Sequence, residues 1–212
     1  MSSMSSTNLA WMNDGYAFFL AQLKQNDDAR LAGPSRLPGW TGTHLLSHVG
    51  HNARALGRLA RWARTGEPTP MYPSPDARAR EIEAGAAWPV SRLRGFVEEE
   101  QELLSAALAG FDEQTWNAEV VTAQGRTVPA STIPWLRSRE VWIHACDLPV
   151  AAEFAGMPAD FLDALIADAR TRRVAQGVDA AALEVSGDGA DTARWLTGRA
   201  LDTPLPALPP WL

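Results

Sequence analysis

The chain has 212 residues, 46% of them hydrophobic and 21% charged, which suits a soluble globular protein built as one large domain or a domain with a small appendage. Its 19 Lys and Arg against 25 Asp and Glu leave a formal charge of −6; that speaks against a nucleic-acid partner, and an anionic ligand would need arginines concentrated locally. A single cysteine, Cys146, excludes an intrachain disulfide, and with no basic n-region and only the short apolar patch Tyr16 to Leu20 near the N-terminus, the expectation is a cytoplasmic protein with no membrane partner.

Ser6 or Thr7 is placed to cap a first helix through Trp11, Tyr16, Phe18, Phe19 and Leu23, an apolar stripe at helical spacing. Gly33, Pro34, Pro38 and Gly39 break it. Thr41 or Thr43 then opens a second helix to about Thr65, carrying Leu45, Leu46, Val49, Leu56, Leu59 and Trp62. The proline-rich stretch Gly66 to Pro75 is a non-helical linker, followed by a short helix near Asp76 to Ala84. Ser91 is a fitting cap for a third long helix through Leu93, Phe96, Leu103, Leu104 and Leu108, stopped by Gly110. Ala118 to Val128 alternates and turns at Gln124-Gly125, which predicts a small hairpin. Ser131 or Thr132 caps the fourth long helix, through Trp135, Leu136, Val141, Trp142 and Ile143. Four long amphipathic helices predict a mainly α protein built on a four-helix bundle. After Pro149 come a helix from Ala159 to Gln176, a strand at Leu183-Glu-Val-Ser186, a helix from Thr192 to Ala200 and a proline-rich end from Pro204. The expected division is a bundle over 1–153 and a small cap over 154–212. No internal repeat is evident.

All four histidines lie in two of these helices. His44 and His48 are four apart on the second, with His51 three further on; Glu140 and His144 are four apart on the fourth, so each set shares a helix face. Inward-facing Glu and His on facing helices are the usual way to build a metal site in a bundle, and three protein ligands leave the open position of a catalytic site. Glu140 and His144 come as a pair, and the central His48 is the best third ligand. His44 then belongs to the surroundings of the site or to its rim, and so does His51. Asp147, three past His144, either orients an imidazole or pairs with an arginine. Arg137, three before Glu140, either neutralises that acid or holds a substrate carboxylate. Cys146 lies about 200° around the helix from His144, so it reads as a small buried residue and any catalytic thiol would come from outside.

Four segments resemble the mycothiol-dependent maleylpyruvate isomerases: Leu37-Pro-Gly-Trp-Thr-Gly-Thr-His-Leu-Leu-Ser-His-Val49, Thr65-Gly-Glu-Pro-Thr-Pro-Met-Tyr72, Thr122-Ala-Gln-Gly-Arg-Thr-Val-Pro-Ala130 and Trp135-Leu-Arg-Ser-Arg-Glu-Val-Trp-Ile-His144. The resemblance runs from about Trp11 to Pro149 and resumes at Val185-Ser-Gly and Trp195-Leu-Thr-Gly-Arg199. It implies a DinB-like four-helix bundle with a small α/β C-terminal domain. It also implies a divalent metal, taken as Zn2+, on His48, Glu140 and His144, and an active-site arginine at Arg199. The stretch between Gln176 and Leu183 is shorter than the family's, which implies a reduced C-terminal sheet.

The reaction implied is isomerisation of maleylpyruvate to fumarylpyruvate in gentisate breakdown, with mycothiol as cofactor. Thiolate addition would make the double bond transiently single, rotation would follow, and thiolate expulsion would give the trans isomer. Arg126 and Arg137 are further candidates for holding the substrate, and a monomer is expected. Two other readings stand beside this one: a mycothiol S-transferase, and a non-catalytic zinc-binding regulator.

Overall fold

Caps and breakers written into the sequence set most of the element boundaries. The computed structural model describes residues 3–185, 187–201, 205–209 and 211. Its helices are α1 Ser3–Leu23, α2 Asp28–Ala32, α3 Gly42–Thr65, α4 Ala77–Ala86, α5 Val90–Ala109, α6 Glu113–Asn117, α7 Ile133–Ala145, α8 Ala159–Ala175 and α9 Gly189–Leu196. Thr41 caps α3 by accepting from the His44 amide, and Gly66, at φ 73°, ends it in the left-handed region open to glycine. The short helices α2 and α6, which the apolar pattern did not foreshadow, start on Asp27 and Asp112, each accepting from an amide three residues on. α1 begins upstream of Ser6 and Thr7, and α5 follows Pro89, so Ser91 lies inside the helix. The fourth bundle helix enters through a 3-10 turn, Ala130–Thr132, with Pro134 in its first turn, where a missing N–H costs nothing.

The chain divides into two compact units, Met1–Ala151 and Ala152–Leu212. In the first, α1 packs on α7, and α3 packs on α5, α4 and α7, the four long helices forming the expected bundle. Its core joins Met12, Leu56, Leu59, Leu104, Leu108 and Ile133. The hairpin is present: β1 Glu119–Val121 pairs antiparallel with β2 Thr127–Pro129, Val120 opposite Val128, and both valines enter that core. Gly50 lets α3 and α5 meet closely, because a Cβ there would fall 2.4 Å from the Phe96 ring. The linker after α3 is pinned to it: Thr69 Oγ1 donates to the Arg58 carbonyl at 2.9 Å, and Arg58 Nη1 donates to the Met71 carbonyl at 2.5 Å.

The second unit has a small core of Ala169, Leu183, Trp195 and Leu196, flanked by half-buried side chains that include Ile166, Leu205 and Trp211. The strand expected at Leu183 to Ser186 is not there. Ala180–Leu183 form a 3-10 turn capped by Asp179, Glu184 and Val185 lie outside any strand, and Ser186 lies outside the described residues. The three alanines after Asp179 favour a helical turn, and Leu183 buries itself without a partner strand. Among its described residues this unit is helical, and the sheet of the fold is the hairpin in the first unit. α9 starts three residues before Thr192 because Asp188 supplies the cap, accepting from the Asp191 amide at 2.7 Å. Among the described residues, no helix is long and apolar enough to cross a membrane.

Candidate metal centre

α3 presents His48 and α7 presents Glu140 and His144, all three buried. His48 Nε2 lies 2.9 Å from Glu140 Oε2 and 3.0 Å from His144 Nε2, and His144 Nε2 lies 3.3 Å from the same carboxylate oxygen. A tetrahedral ion with ~2.0–2.1 Å bonds has ligand atoms about 3.3 Å apart, so this triangle is nearly the face of such a tetrahedron. Two imidazole nitrogens and one carboxylate oxygen form the donor set of a divalent ion of zinc's type. This is the one group of three or more potential ligands whose donor atoms converge among the described residues.

The protonation pattern fits the same use. His144 Nδ1 stands 2.8 Å from Asp147 Oδ2, a fully buried carboxylate, so Nδ1 keeps its proton, and Nε2 would turn a lone pair towards the triangle once it gives up the proton it shares with Glu140. Burial disfavours a charged His144, but the hydrogen bonds to Asp147 and Glu140 outweigh it and its pKa is raised. Burial dominates at His48 and pushes it down to about 4, despite the hydrogen bond to Glu140. Burial opposes ionisation of Glu140 too, yet hydrogen bonds from His144 and His48 hold its carboxyl well below the usual range. His48 Nδ1 is buried with no hydrogen-bond partner. Its ring is held by packing instead, with Trp40 edge-on at 5.5 Å and His144 at 4.8 Å between centroids.

The other sequence candidates lie apart from the triangle or support it. His44 completes the α3 cap, its Nδ1 2.6 Å from Thr41 Oγ1, while its Nε2 faces Glu83 at 3.4 Å. His51 is tied by Nδ1 to the Ser47 carbonyl at 2.8 Å and packs on Phe96. Arg137 is fully buried: Nε donates to Gln101 Oε1 at 2.8 Å, and Nη1 donates to the Val49 carbonyl and Asn52 Oδ1 at 2.8 and 2.9 Å. It braces α7 against α3 and α5. Burial pushes it down to about 10, partly offset by Glu140. Arg126 is exposed in the hairpin turn. Cys146 is buried at the end of α7, its Sγ 3.8 Å from the Trp142 carbonyl, outside the ligand group.

Arg199 belongs to the second unit. It follows Gly198, whose φ of 81° reverses the chain after α9, and its Nη1 donates to the Thr197 carbonyl at 2.5 Å. It lines a cavity of about 360 Å³ together with Trp195, Gly198, Leu201, Leu205 and Leu208.

Three residues near the triangle were not singled out from the sequence. Trp40 packs on His48. Tyr72, on the linker, is pushed up to about 12 chiefly by burial, and it feels the charges of Arg78, Glu140 and Glu81. Arg78, on α4, is close enough to His48 for its charge to depress the imidazole further. Trp40 and Tyr72 fall inside two of the segments quoted above, which was the available signal. Nothing in the pattern of α4 marks Arg78.

The chain was compared with known proteins. No curated protein matches it. Two solved structures match over 100% of both chains at 36% identity and a TM-score of 0.92: a crystal structure of the mycothiol-dependent maleylpyruvate isomerase, and that of a histidine-to-alanine mutant of the same enzyme. The family model for the mycothiol maleylpyruvate isomerase N-terminal domain matches residues 13–149, a span that holds His48, Glu140, His144 and Asp147, and the chain belongs to this family.

Proposed function

We propose that the protein is a mycothiol-dependent maleylpyruvate isomerase that converts the cis acid to fumarylpyruvate. The observation that carries this reading is the full-length likeness to the solved isomerase. The buried triangle of His48, Glu140 and His144 supplies a site of matching chemistry.

His48, Glu140 and His144 would hold a divalent ion, zinc by donor set, which when bound supplies a Lewis acid that keeps a thiol deprotonated near neutral pH. Mycothiol would bring the thiol whose reversible addition turns the alkene into a rotatable single bond. The chain's own residues prepare the site. Burial keeps His48 neutral, so its lone pair is available at pH 7. Asp147 fixes the tautomer of His144. Cys146 is directed at a backbone carbonyl, in keeping with an exogenous nucleophile. Arg199, and Arg126 at the hairpin turn, are the arginines proposed to meet the substrate's anionic groups, guanidinium being suited to bidentate carboxylate binding. Arg137 acts as the buried counter-charge of Glu140. The cytoplasm and a monomeric state complete the proposal.

The test is a zinc-loaded assay with maleylpyruvate, with and without mycothiol. Turnover that requires the thiol without consuming it supports the isomerase. Stoichiometric loss of thiol would make the protein an S-transferase, and zinc binding without either would make it a regulator.

A further inference from the structure

We propose that Arg137 is the positioning residue of the metal centre: its guanidinium sets the spacing and register of α3 against α7, so that His48 meets Glu140 and His144. Arg137 lies three residues before Glu140 on α7. Its Nη1 donates at 2.8 Å to the carbonyl of Val49, which follows His48 on α3, and at 2.9 Å to Asn52 Oδ1, one turn beyond His48. One nitrogen thus ties the ligand-bearing turn of α7 to the ligand-bearing turn of α3. Nε fixes the guanidinium from a third side by donating to Gln101 Oε1 of α5 at 2.8 Å. Gln101 is oriented in turn, its Nε2 donating to Ser105 Oγ at 3.2 Å.

Packing alone does not account for an arginine here. The side chain is fully buried, and its Nη2 finds no acceptor among the described residues. The Glu140 carboxylate bonds to His48 and His144, and among the described residues no carboxylate forms an ion pair with Arg137. Burying a cation without a paired anion and with one nitrogen unsatisfied is costly, and apolar side chains of similar volume commonly fill such places with no loss of stability. An apolar side chain would not fix the register, however. Dispersion contacts tolerate a small slide of one helix along another, whereas two directional hydrogen bonds from a planar group do not.

The sign of the effect on metal affinity separates positioning from charge. A guanidinium beside the ligand-bearing turns repels a divalent cation, so deleting its charge alone would strengthen zinc binding. Deleting the device that holds His48 against Glu140 and His144 would weaken it. The inference rests on the metal triangle and not on the isomerase reading.

The test measures zinc affinity by competition with a chromophoric chelator, and the visible absorption of the cobalt-loaded protein, with no thiol or substrate present. Arg137→Met should bind zinc about tenfold or more weakly, and its cobalt band should lose intensity as the ligand geometry relaxes. Arg137→Lys keeps the charge without the fork and should be weakened too. Asn52→Leu leaves the cation in place, should weaken zinc binding severalfold, and carries the test if Arg137→Met does not fold. Leu108→Ala, a cavity in the core of the same unit, should lower the melting temperature yet keep its zinc affinity, whereas a merely structural Arg137 would behave as this control does. Zinc affinity at or above the wild-type value in Arg137→Met, or in Asn52→Leu where that variant carries the test, overturns the proposal. So does a loss in Leu108→Ala as large as that in Arg137→Met. If wild type binds no zinc, the metal centre fails and the positioning role with it; if it binds zinc without isomerising maleylpyruvate, the isomerase reading fails while the role of Arg137 stands.

Discussion

Arg137 and Arg173 are both fully buried, one in each unit, and both act as braces. Arg137 ties α7 to the backbone and side chains of α3 and α5. Arg173, on α8, donates from Nε to the Leu196 carbonyl of α9 at 2.8 Å and from Nη1 to Gln176 Oε1 and the Pro209 carbonyl at 2.9 and 2.6 Å, so it fastens the tail to the helix pair. Their electrostatic neighbours have opposite sign. Arg137 is stabilised as a cation by Glu140, whereas Arg173, already lowered by burial, is lowered further by Arg199. The first unit therefore neutralises its buried guanidinium internally. In the second, the neighbouring charge is a second guanidinium, that of Arg199. The same kind of brace thus sits beside a carboxylate in one unit and beside a second guanidinium in the other.

The largest expected effect strikes the first unit alone. His48→Ala should strip most of the zinc and cut kcat/KM by at least about a hundredfold, the scale of losing one preorganised electrostatic group. The fold of the second unit should be untouched. His51→Ala, on the same helix but tied to Ser47, should keep the metal. Metal analysis of both proteins is the check, and a fully loaded His48→Ala would sink the ligand assignment.

The next strikes the second unit alone. Arg199→Ala should retain zinc and fold but lose roughly 2–3 kcal/mol of transition-state stabilisation, read from kcat/KM. Lysine should restore little of it. If the variant instead loses stability with unchanged kinetics, Arg199 serves the fold, as its hydrogen bond to the Thr197 carbonyl does, and the contrast between the two units weakens.

A smaller effect probes the support beneath the metal. Asp147→Asn should lower zinc affinity ~10–100-fold. The pH profile separates this from simple misfolding. His144, raised above its ordinary pKa by Asp147 and Glu140, holds its proton up to a higher pH, so metal uptake must displace that proton and strengthens as pH rises through the raised value. Without the carboxylate that midpoint should move to lower pH, even as the affinity reached at high pH falls. The pair's own contribution to the metal-free fold runs the opposite way: it is complete below the ordinary histidine pKa and fades as pH rises through the raised one. Zinc titrations from pH 5 to pH 9 (about two units either side of neutrality) test both signs.

The parts legible in the sequence are those that depend on helix period. Four apolar stripes marked the bundle, and the four-residue spacing of Glu140 and His144 marked the metal face, because side chains one turn apart must point together. Parts fixed by tertiary contact were not legible. Arg137 shares Glu140's face by spacing, yet its length carries the guanidinium to Gln101 and Asn52. His44 has ligand spacing to His48, but its place three residues after Thr41 recruits it into the helix cap. α2 and α6 are too short for a period to show, and only their aspartate caps announce them. Leu183-Glu-Val looked like a strand by residue type, and without a partner it stayed a turn and a coil.

The smallest expected effect is the one that keeps the nucleophile outside the chain. Cys146 lies two residues beyond His144 and next to Asp147 in sequence, near enough that a thiol turned inwards would compete with mycothiol for an open coordination position. Its Sγ instead reaches back one helical turn to the Trp142 carbonyl, at a distance where an S–H donor gives little. Removing it deletes one sulfur from a buried site, so Cys146→Ala should cost only ~1 kcal/mol of stability. With mycothiol supplied, the variant should isomerise maleylpyruvate at close to the wild-type rate. Without mycothiol, wild type and variant should be equally inert. The informative comparison is therefore the thiol-free pair: if wild type turns over and Cys146→Ala does not, the nucleophile is internal, and the reading of the first unit as a metal site awaiting a foreign thiol collapses. Alkylation gives an independent check, since a buried thiol at this position should react with iodoacetamide only as the protein unfolds, and so more slowly once zinc stabilises the native state.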